Sequence, residues 1–196
     1  MYTLRFLEVP DAELVADYQR RNRHFHRPWS PVPPPDYFTA EFHRQMLQQT
    51  VERREREEEF RFGIFTDHPT PLLIGRINLV AIERGAFQNG RLGYSMDAKH
   101  RNAGVMTTML KNVMGFGFGY LRLHRIEANI MPRNEASRRV LQKCGFRHIG
   151  YSPKMLLING QWEDHEMYMA LAEDLRTDQE EGIAAGLQPF LPLVDR

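Results

Sequence analysis

The sequence predicts an α/β (α+β) domain built on one central mixed sheet, mostly antiparallel and partly parallel, flanked by helices. Three observations predict it. The first half alternates short strand patterns with turn signals such as Asn89-Gly90, so it reads as hairpins. The second half runs β-α-β-α-β, and parallel neighbours need such crossovers. The last two strands meet at Asn159-Gly160, a two-residue hairpin turn. The chain has 196 residues, 42% hydrophobic and 26% charged, which suits one soluble domain. Residues 1–171 are expected to form that domain. The tail 172–196 is expected to pack on it through Leu187, Phe190, Leu191, Leu193 and Val194.

Residues 2–8 read as a strand ended by Pro10, which has no backbone donor. Asp11 suits a helix N-cap, and a helix over 12–22 turns Leu14, Val15 and Tyr18 inward. Residues 22–38, NRHFHRPWSPVPPPDYF, carry five prolines and read as an irregular, semi-rigid loop. Two readings stand side by side: a surface connector stapled by its aromatics, or a substrate-facing lip lined by Phe25, His26 and Trp29. His24 and His26 have no Cys or further His nearby, so no metal site is expected. Residues 38–60 read as a helix with the stripe Phe38, Phe42, Met46, Leu47 and Val51. It ends in a solvated charged run where Glu52 and Arg56 are spaced to pair. Residues 61–66 and 72–80 form a hairpin, 81–87 is placed to extend it, and Gln88-Asn89-Gly90 is read as the next turn.

The strand 92–96 then leads through Arg101-Asn102-Ala103-Gly104 into a helix from Val105 to about Gly115. Val105, Met109, Leu110 and Val113 share one face of it. Asn and Gly tolerate left-handed backbone, and a glycine turn at a helix start points free N–H groups and the positive dipole end outward. That arrangement suits a phosphate, though ordinary strand–loop–helix junctions use the same residues. Residues 123–131 alternate as a strand, ended by Pro132. Asn134 is placed as N-cap of a helix with Ser137 in its first turn and Val140, Leu141 and Cys144 on its apolar side. Gly145 sits at its C-cap. Strands over 146–150, 154–158 and 162–171 follow.

Lys and Arg number 26 against 25 Asp and Glu, so charge predicts no general affinity for nucleic acid or membranes. The single Cys144 allows no internal disulfide and fits a reducing compartment. No apolar run approaches the roughly 20 residues of a membrane span, and MYTLRFLEVPDAEL is not a signal peptide. The expectation is a cytoplasmic protein, monomeric or weakly dimeric.

Arg101-x-x-Gly104-x-Met106 opening a helix, within this order of elements, resembles the GCN5-related N-acetyltransferase (GNAT) superfamily. The loop pattern there is Gln/Arg-x-x-Gly-x-Gly/Ala; the first two anchors match and Met106 departs. LHRIEANIMPRNEASRRVLQKCGFRHIGY and INGQWEDHEMY resemble the ribosomal-protein-alanine N-acetyltransferases of the RimJ/RimL group. Asn134, Ser137, Leu141, Gly145 and Phe146 fall on that group's Asn-x-x-Ser-x-x-x-Leu-x-x-x-Gly-Phe pattern. NRHFHRPWSPV, RGAF and LGYS are most similar to the RimJ branch, and the resemblance spans residues 3–171.

The resemblance implies a GNAT fold with a splayed parallel strand pair, acetyl-CoA as cofactor and a protein N-terminus, that of a ribosomal protein, as acceptor. The pyrophosphate is implied to lie on the backbone of Asn102, Ala103, Gly104, Val105 and Met106, with charge from Arg101 and Lys99. The strand Tyr94, Ser95, Met96 is implied to pair with the pantetheine arm beside Asn129, with Met96 N–H polarising the thioester and Gly93 compatible with a bulge. Asn134 is implied to bond pantetheine, and Ser137 to stand near the sulfur as general acid; both also read as ordinary helix capping. The strand where relatives carry a carboxylate is KMLLI here, which has none. Glu127 and Glu83 are candidate bases, equally readable as ion-paired carboxylates, and His148 and Tyr151 are candidate relays. An α-amino group has a pKa near 8, so a dedicated base is not required. Acceptor selection is expected in Phe25, His26, Trp29, Glu83, Arg84 and Tyr151. Asp164 and His165 read equally as a hairpin brace or as site residues, and Cys144 as core. Two further readings stay open: a GNAT acetylating a small amine, and a non-catalytic CoA-binding or ribosome-assembly factor.

Overall fold

The structure is a computed structural model describing residues 2–174, so the expected docking of the tail lies, beyond residue 174, outside the described residues. Among the described residues seven strands form one sheet in the order β1-β2-β3-β4-β5-β7-β6. They are β1 (Tyr2–Phe6), β2 (Phe60–Thr66), β3 (Leu73–Glu83), β4 (Asn89–Met96), β5 (Arg125–Ile130), β6 (Arg147–Ile158) and β7 (Gln161–Leu171). The helices are α1 (Ala12–His26), α2 (Ala40–Glu55), α3 (Val105–Gly115) and α4 (Glu135–Lys143). Every neighbouring pair is antiparallel except β4–β5, which is parallel and joined by α3. The mixed, mostly antiparallel sheet is therefore as expected. No helix among the described residues is long and apolar enough to cross a membrane.

The two faces of the sheet differ. Phe62, Ile77, Leu79, Leu92 and Ile126 pack under α3 and α4 in the larger core. Leu7, Val15, Tyr18, Leu47 and Leu73 form a smaller core under α1 and α2. Burying one such side chain contributes about 2 kcal/mol. Strand alternation then puts Asn78, Gly93 and Asn129 on the α1/α2 face and Tyr94 on the α3/α4 face.

Several boundaries differ from expectation. Helix α1 continues to His26, because no helix breaker precedes Pro28, and Arg23 in the last turn favours the negative end of the dipole. Helix α2 stops at Glu55 in a Schellman turn: Glu57 is left-handed (φ 55), Glu57 N–H donates to Arg54 C=O, and Glu58 N–H to Arg53 C=O. No Gly or Asn marked that stop. The buried side of α2 is His43, Leu47 and Thr50; of the expected stripe Leu47 is buried, while Phe38, Phe42, Met46 and Val51 are half-buried. Arg56 pairs with Glu58, not Glu52. Asn89 and Gly90 lie inside β4, since the turn falls at Gly85 (φ 70). Gly90 is a packing residue, where a Cβ would meet Leu79 Cδ1 at 2.9 Å. Residues 147–158 form one long irregular strand instead of two.

The feature that positions the site is a divergence. β4 and β5 pair from Asn89↔Arg125 to Leu92↔Ala128 and no further. β3 still pairs β4 out to Met96, and β7 pairs β5 out to Ile130. The two central strands therefore splay beyond Leu92 and Ala128. No bulge at Gly93 accompanies this, for the β3–β4 register is unbroken from Gly75 to Val80; the irregularity lies between Val80 and Glu83, with Ala81 left-handed.

Candidate functional site

A cavity of about 440 Å³ opens where the strands part. Gly93 and Tyr94 of β4, Asn129 of β5 with Met131 just after it, and Leu156–Ile158 of β6 form its walls. Asn134 and Ser137 of α4 reach it from one face of the sheet. Trp29 and Pro31, from the segment after α1, reach it from the other, as does His165 of β7. The cavity thus passes between the strands and opens toward both faces.

Backbone alternation decides what β4 offers. Asp97 N–H donates to Ile74 C=O at 2.7 Å, so Asp97, Ser95 and Gly93 make the rungs to β3. The N–H and C=O groups of Tyr94 and Met96 consequently point into the splay. His26 closes one of them: its Nε2–H donates to Met96 C=O at 3.0 Å, and burial holds the imidazole below its ordinary pKa. Met96 N–H stays aimed at the gap.

On the α4 side, Asn134 caps the helix by accepting from Ser137 N–H at 3.1 Å. Ser137, 9% exposed, shares a 2.6 Å hydrogen bond with Tyr94 OH. Burial pushes the Tyr94 phenol far above its ordinary pKa, so it keeps its proton at neutral pH. The side chain of Tyr94 was not singled out in sequence; only strand alternation linked to the α4 face could have found it. Cys144 is core as expected, 2% exposed, with burial raising its thiol to about 12.

The loop before α3 has left-handed backbone at Asn102 (φ 64) and Gly104 (φ 75), the two positions that tolerate it. Gly104 is the α3 N-cap without a side-chain hydrogen bond, and a Cβ there would meet nothing within 4 Å. The first-turn N–H groups have no helical partner and an open approach. Met106 does not obstruct it. At 8% exposed it points into the core, which explains how the helix tolerates Met at that position. Arg101 Nε donates to Ala98 C=O, and its guanidinium lies 4.5 Å from the Phe25 ring centroid. The residues present therefore fit a pyrophosphate group at the start of α3.

A network unseen in the sequence anchors this loop. Asp97, 2% exposed, accepts from Arg21 Nε (2.7 Å), Asn22 Nδ2 (3.0 Å) and Lys99 N–H (2.8 Å). Asn22 Oδ1 accepts from Ala98 N–H at 3.0 Å. The Asp two residues ahead of a loop amide was the available signal.

Of the acceptor-side expectations, Trp29 lines the cavity. Its ring lies 5.7 Å from Arg133, which is held in a two-bond ion pair by Glu163 (2.6 and 2.8 Å). Ser30 C=O accepts from Asn159 N–H, tying this segment to the β6–β7 turn. Phe25 and His26 do not line the cavity. As helical residues they hold Arg101 and Met96 instead. Glu83 and Arg84 are misplaced by the sequence reading: they stand beside Asn89, at the opposite end of β4 from the splay, where Arg84 pairs with Glu57. Tyr151 is exposed and donates to Asp164 rather than reaching the cavity, and His148 packs on Tyr168. Glu127 faces the same side as Asn129 but accepts from Arg125 Nε at 2.7 Å and does not line the cavity. His165, 3% exposed, does line it.

The acetyltransferase (GNAT) domain family matches residues 2–147. The "Probable N-acetyltransferase YjcK" of Bacillus subtilis is 43% identical over 171 residues, covering 87% of this chain and 94% of that protein. The ribosomal-protein-S5-alanine acetyltransferase of Vibrio fischeri superposes with a TM-score of 0.85 at 35% identity, over 89% of this chain and 95% of that one. Mycobacterium smegmatis RimJ in complex with CoA-disulfide shares the fold, with a TM-score of 0.85 at 24% identity over 94% and 88%. With the family matching three quarters of the sequence, and a splayed sheet beside a glycine-capped helix, the chain belongs to the GNAT acetyltransferases.

Proposed function

We propose that the protein transfers acetyl from acetyl-CoA to the α-amino group of a protein N-terminus, that of a ribosomal protein beginning with alanine or another small residue. One observation carries this reading: a single cavity reaches the Tyr94–Ser137 pair on one face and the Trp29–Pro31 wall on the other. The Vibrio fischeri relative, named for the same acceptor class, supports it. Such a substrate places the reaction in the cytoplasm.

The first-turn N–H groups of α3 and Arg101 would hold the pyrophosphate, and the free β4 groups at Tyr94 and Met96 the pantetheine amides. Bound acetyl-CoA supplies an activated thioester. Met96 N–H, fixed by the β3 rungs and by His26 on the adjacent carbonyl, is preorganised to stabilise negative charge on the carbonyl oxygen. Tyr94 and Ser137 hold a proton at Oγ or OH for the departing thiolate. Trp29, clamped by Arg133 and Glu163, presents a flat wall to a small first side chain.

The reading is tested by incubating the protein with acetyl-CoA and peptides of varied first residue, and locating the added acetyl group by mass spectrometry. Acetylation confined to α-amino groups of small residues is expected; acetylation only of lysine side chains or small amines would overturn it. Trp29→Ala is expected to raise the peptide KM about tenfold with acetyl-CoA affinity unchanged, in line with about 1–2 kcal/mol for one aromatic contact. Tyr94→Phe is expected to lower kcat about 10- to 100-fold with the KM for acetyl-CoA within twofold, as for loss of a proton donor. An unchanged kcat would remove the pair from the reaction.

A further inference from the structure

His165 is a buried titratable group that the mechanism above leaves unused. It sits at 3% exposure in the wall of the cavity, on the α1/α2 face, next to Ser152 of β6. Its Nδ1–H donates to Glu163 C=O at 3.0 Å. A carbonyl only accepts, so the neutral ring carries its proton on Nδ1 and leaves the Nε2 lone pair free. A second acceptor lies on the same wall: Asn129 Oδ1 is buried without a hydrogen-bond partner among the described residues. Between the two strands that splay, Gly93 contributes no side chain, and a Cβ there would meet nothing within 4 Å. Two acceptors facing an open gap call for a donor-rich guest, and an ammonium group has that chemistry.

We propose that His165 is the general base of the acetyl transfer, its Nε2 taking a proton from an acceptor amine seated on Asn129 Oδ1. The proposal rests on the reading of the cavity as the transfer site. A protonated α-amino group gives one proton to Nε2 and becomes nucleophilic. Its nitrogen–carbon bond forms as the carbon–sulfur bond breaks. The thiolate takes a proton from the Tyr94–Ser137 pair, the second nitrogen proton passes to solvent, and His165 and the pair exchange theirs with solvent. The charged and titratable groups around the imidazole are Glu163 and Asp164 on its own strand, Arg133 on Glu163, and Tyr151 on Asp164. Glu127, the carboxylate closest to Asn129 along β5, is held by Arg125.

The test uses the full chain, acetyl-CoA and two peptides: one beginning with alanine, and one whose N-terminus is an aminooxy group, already neutral at pH 7. His165→Asn keeps an N–H for Glu163 C=O and removes Nε2. With the alanine peptide, kcat is expected to fall about 100-fold. The acid limb of the kcat–pH profile is expected to move up toward the α-amino value near 8. With the aminooxy peptide the loss should stay within about fivefold, a split that a merely structural role would not produce. Equal losses with both peptides, an unmoved acid limb, or near-normal kcat overturns the proposal. If the wild-type chain acetylates only small amines, the protein-N-terminus reading falls. The same comparison on the accepted amine and its neutral analogue then decides His165. Absence of acetylation on every amine overturns both.

Discussion

Gly104→Arg is expected to abolish coenzyme A binding and leave the protein folded. Gly104 occupies the left-handed region (φ 75, ψ −9) at the N-cap of α3. Any L-residue there costs about 1–2 kcal/mol, which a domain with stability on the order of 5–15 kcal/mol survives. No neighbour lies within 4 Å of the new Cβ, so no clash adds to that strain. The damage is to access. The arginine side chain stands over the first-turn N–H groups, and its charge does not replace them, because a hydrogen bond needs its donor within about 3 Å. Losing two charge-assisted bonds of about 1.5–3 kcal/mol each lowers affinity by roughly 100-fold or more. Gly104→Ala separates the two effects, since it carries the strain without the cover, and should lose affinity only a few-fold. Calorimetry showing unchanged affinity in Gly104→Arg, with an intact thermal transition, would assign the phosphates elsewhere.

The sheet was legible in the sequence wherever periodicity and turn chemistry agreed. Asn134, Gly145 and Asn159-Gly160 were placed correctly because each obeys a local backbone rule: an N-cap, a left-handed C-cap (φ 84), a left-handed pair (φ 46 and 83). The errors share a cause. Gln88-Asn89-Gly90 has turn composition, yet Asn89 is 1% exposed and Gly90 is a glycine for packing, so tertiary contact overrode the local signal. Helix α2 ends at Glu55, and the residue that turns the chain away, Glu57, is a charged residue in a conformation that sequence assigns to glycine. The proposed donor side, Tyr94 to Met106 with Asn134 and Ser137, draws on two short stretches of sequence, so local motifs could suggest it. The acceptor side draws on α1, β5, β6 and β7. Its residues meet only in three dimensions, so Glu83 and Tyr151 were read into it, while the cavity position of His165 stayed undecided.

Asp97→Ala is expected to destabilise the protein by about 3 kcal/mol, because it removes a buried carboxylate that accepts from buried Asn22 and from the part-exposed Arg21 and Lys99 N–H. For a domain this size that lowers Tm by roughly 10 °C. The same change weakens coenzyme A binding, since Asp97 and Asn22 together hold residues 97–99 at the entrance of the α3 loop. Thermal melting distinguishes this from Gly104→Arg, whose strain of about 1–2 kcal/mol is expected to lower Tm by only about 5 °C. The pH dependence has a definite sign. Burial by itself pushes the Asp97 carboxyl up, but the bonds from Asn22, the Lys99 N–H and Arg21 outweigh it and hold the group below the ordinary carboxylate range. A depressed native pKa means the stabilisation is fully present above the unfolded value of about 3.9 and is lost as pH falls below it toward the native value. Asp97→Asn keeps the volume and removes the charge, so its stability deficit against wild type should be constant from about pH 5 to 7 and shrink below about pH 4. A deficit unchanged down to pH 3, or a Tm loss under about 3 °C for Asp97→Ala, would show that the carboxylate is not what ties α1 to the loop.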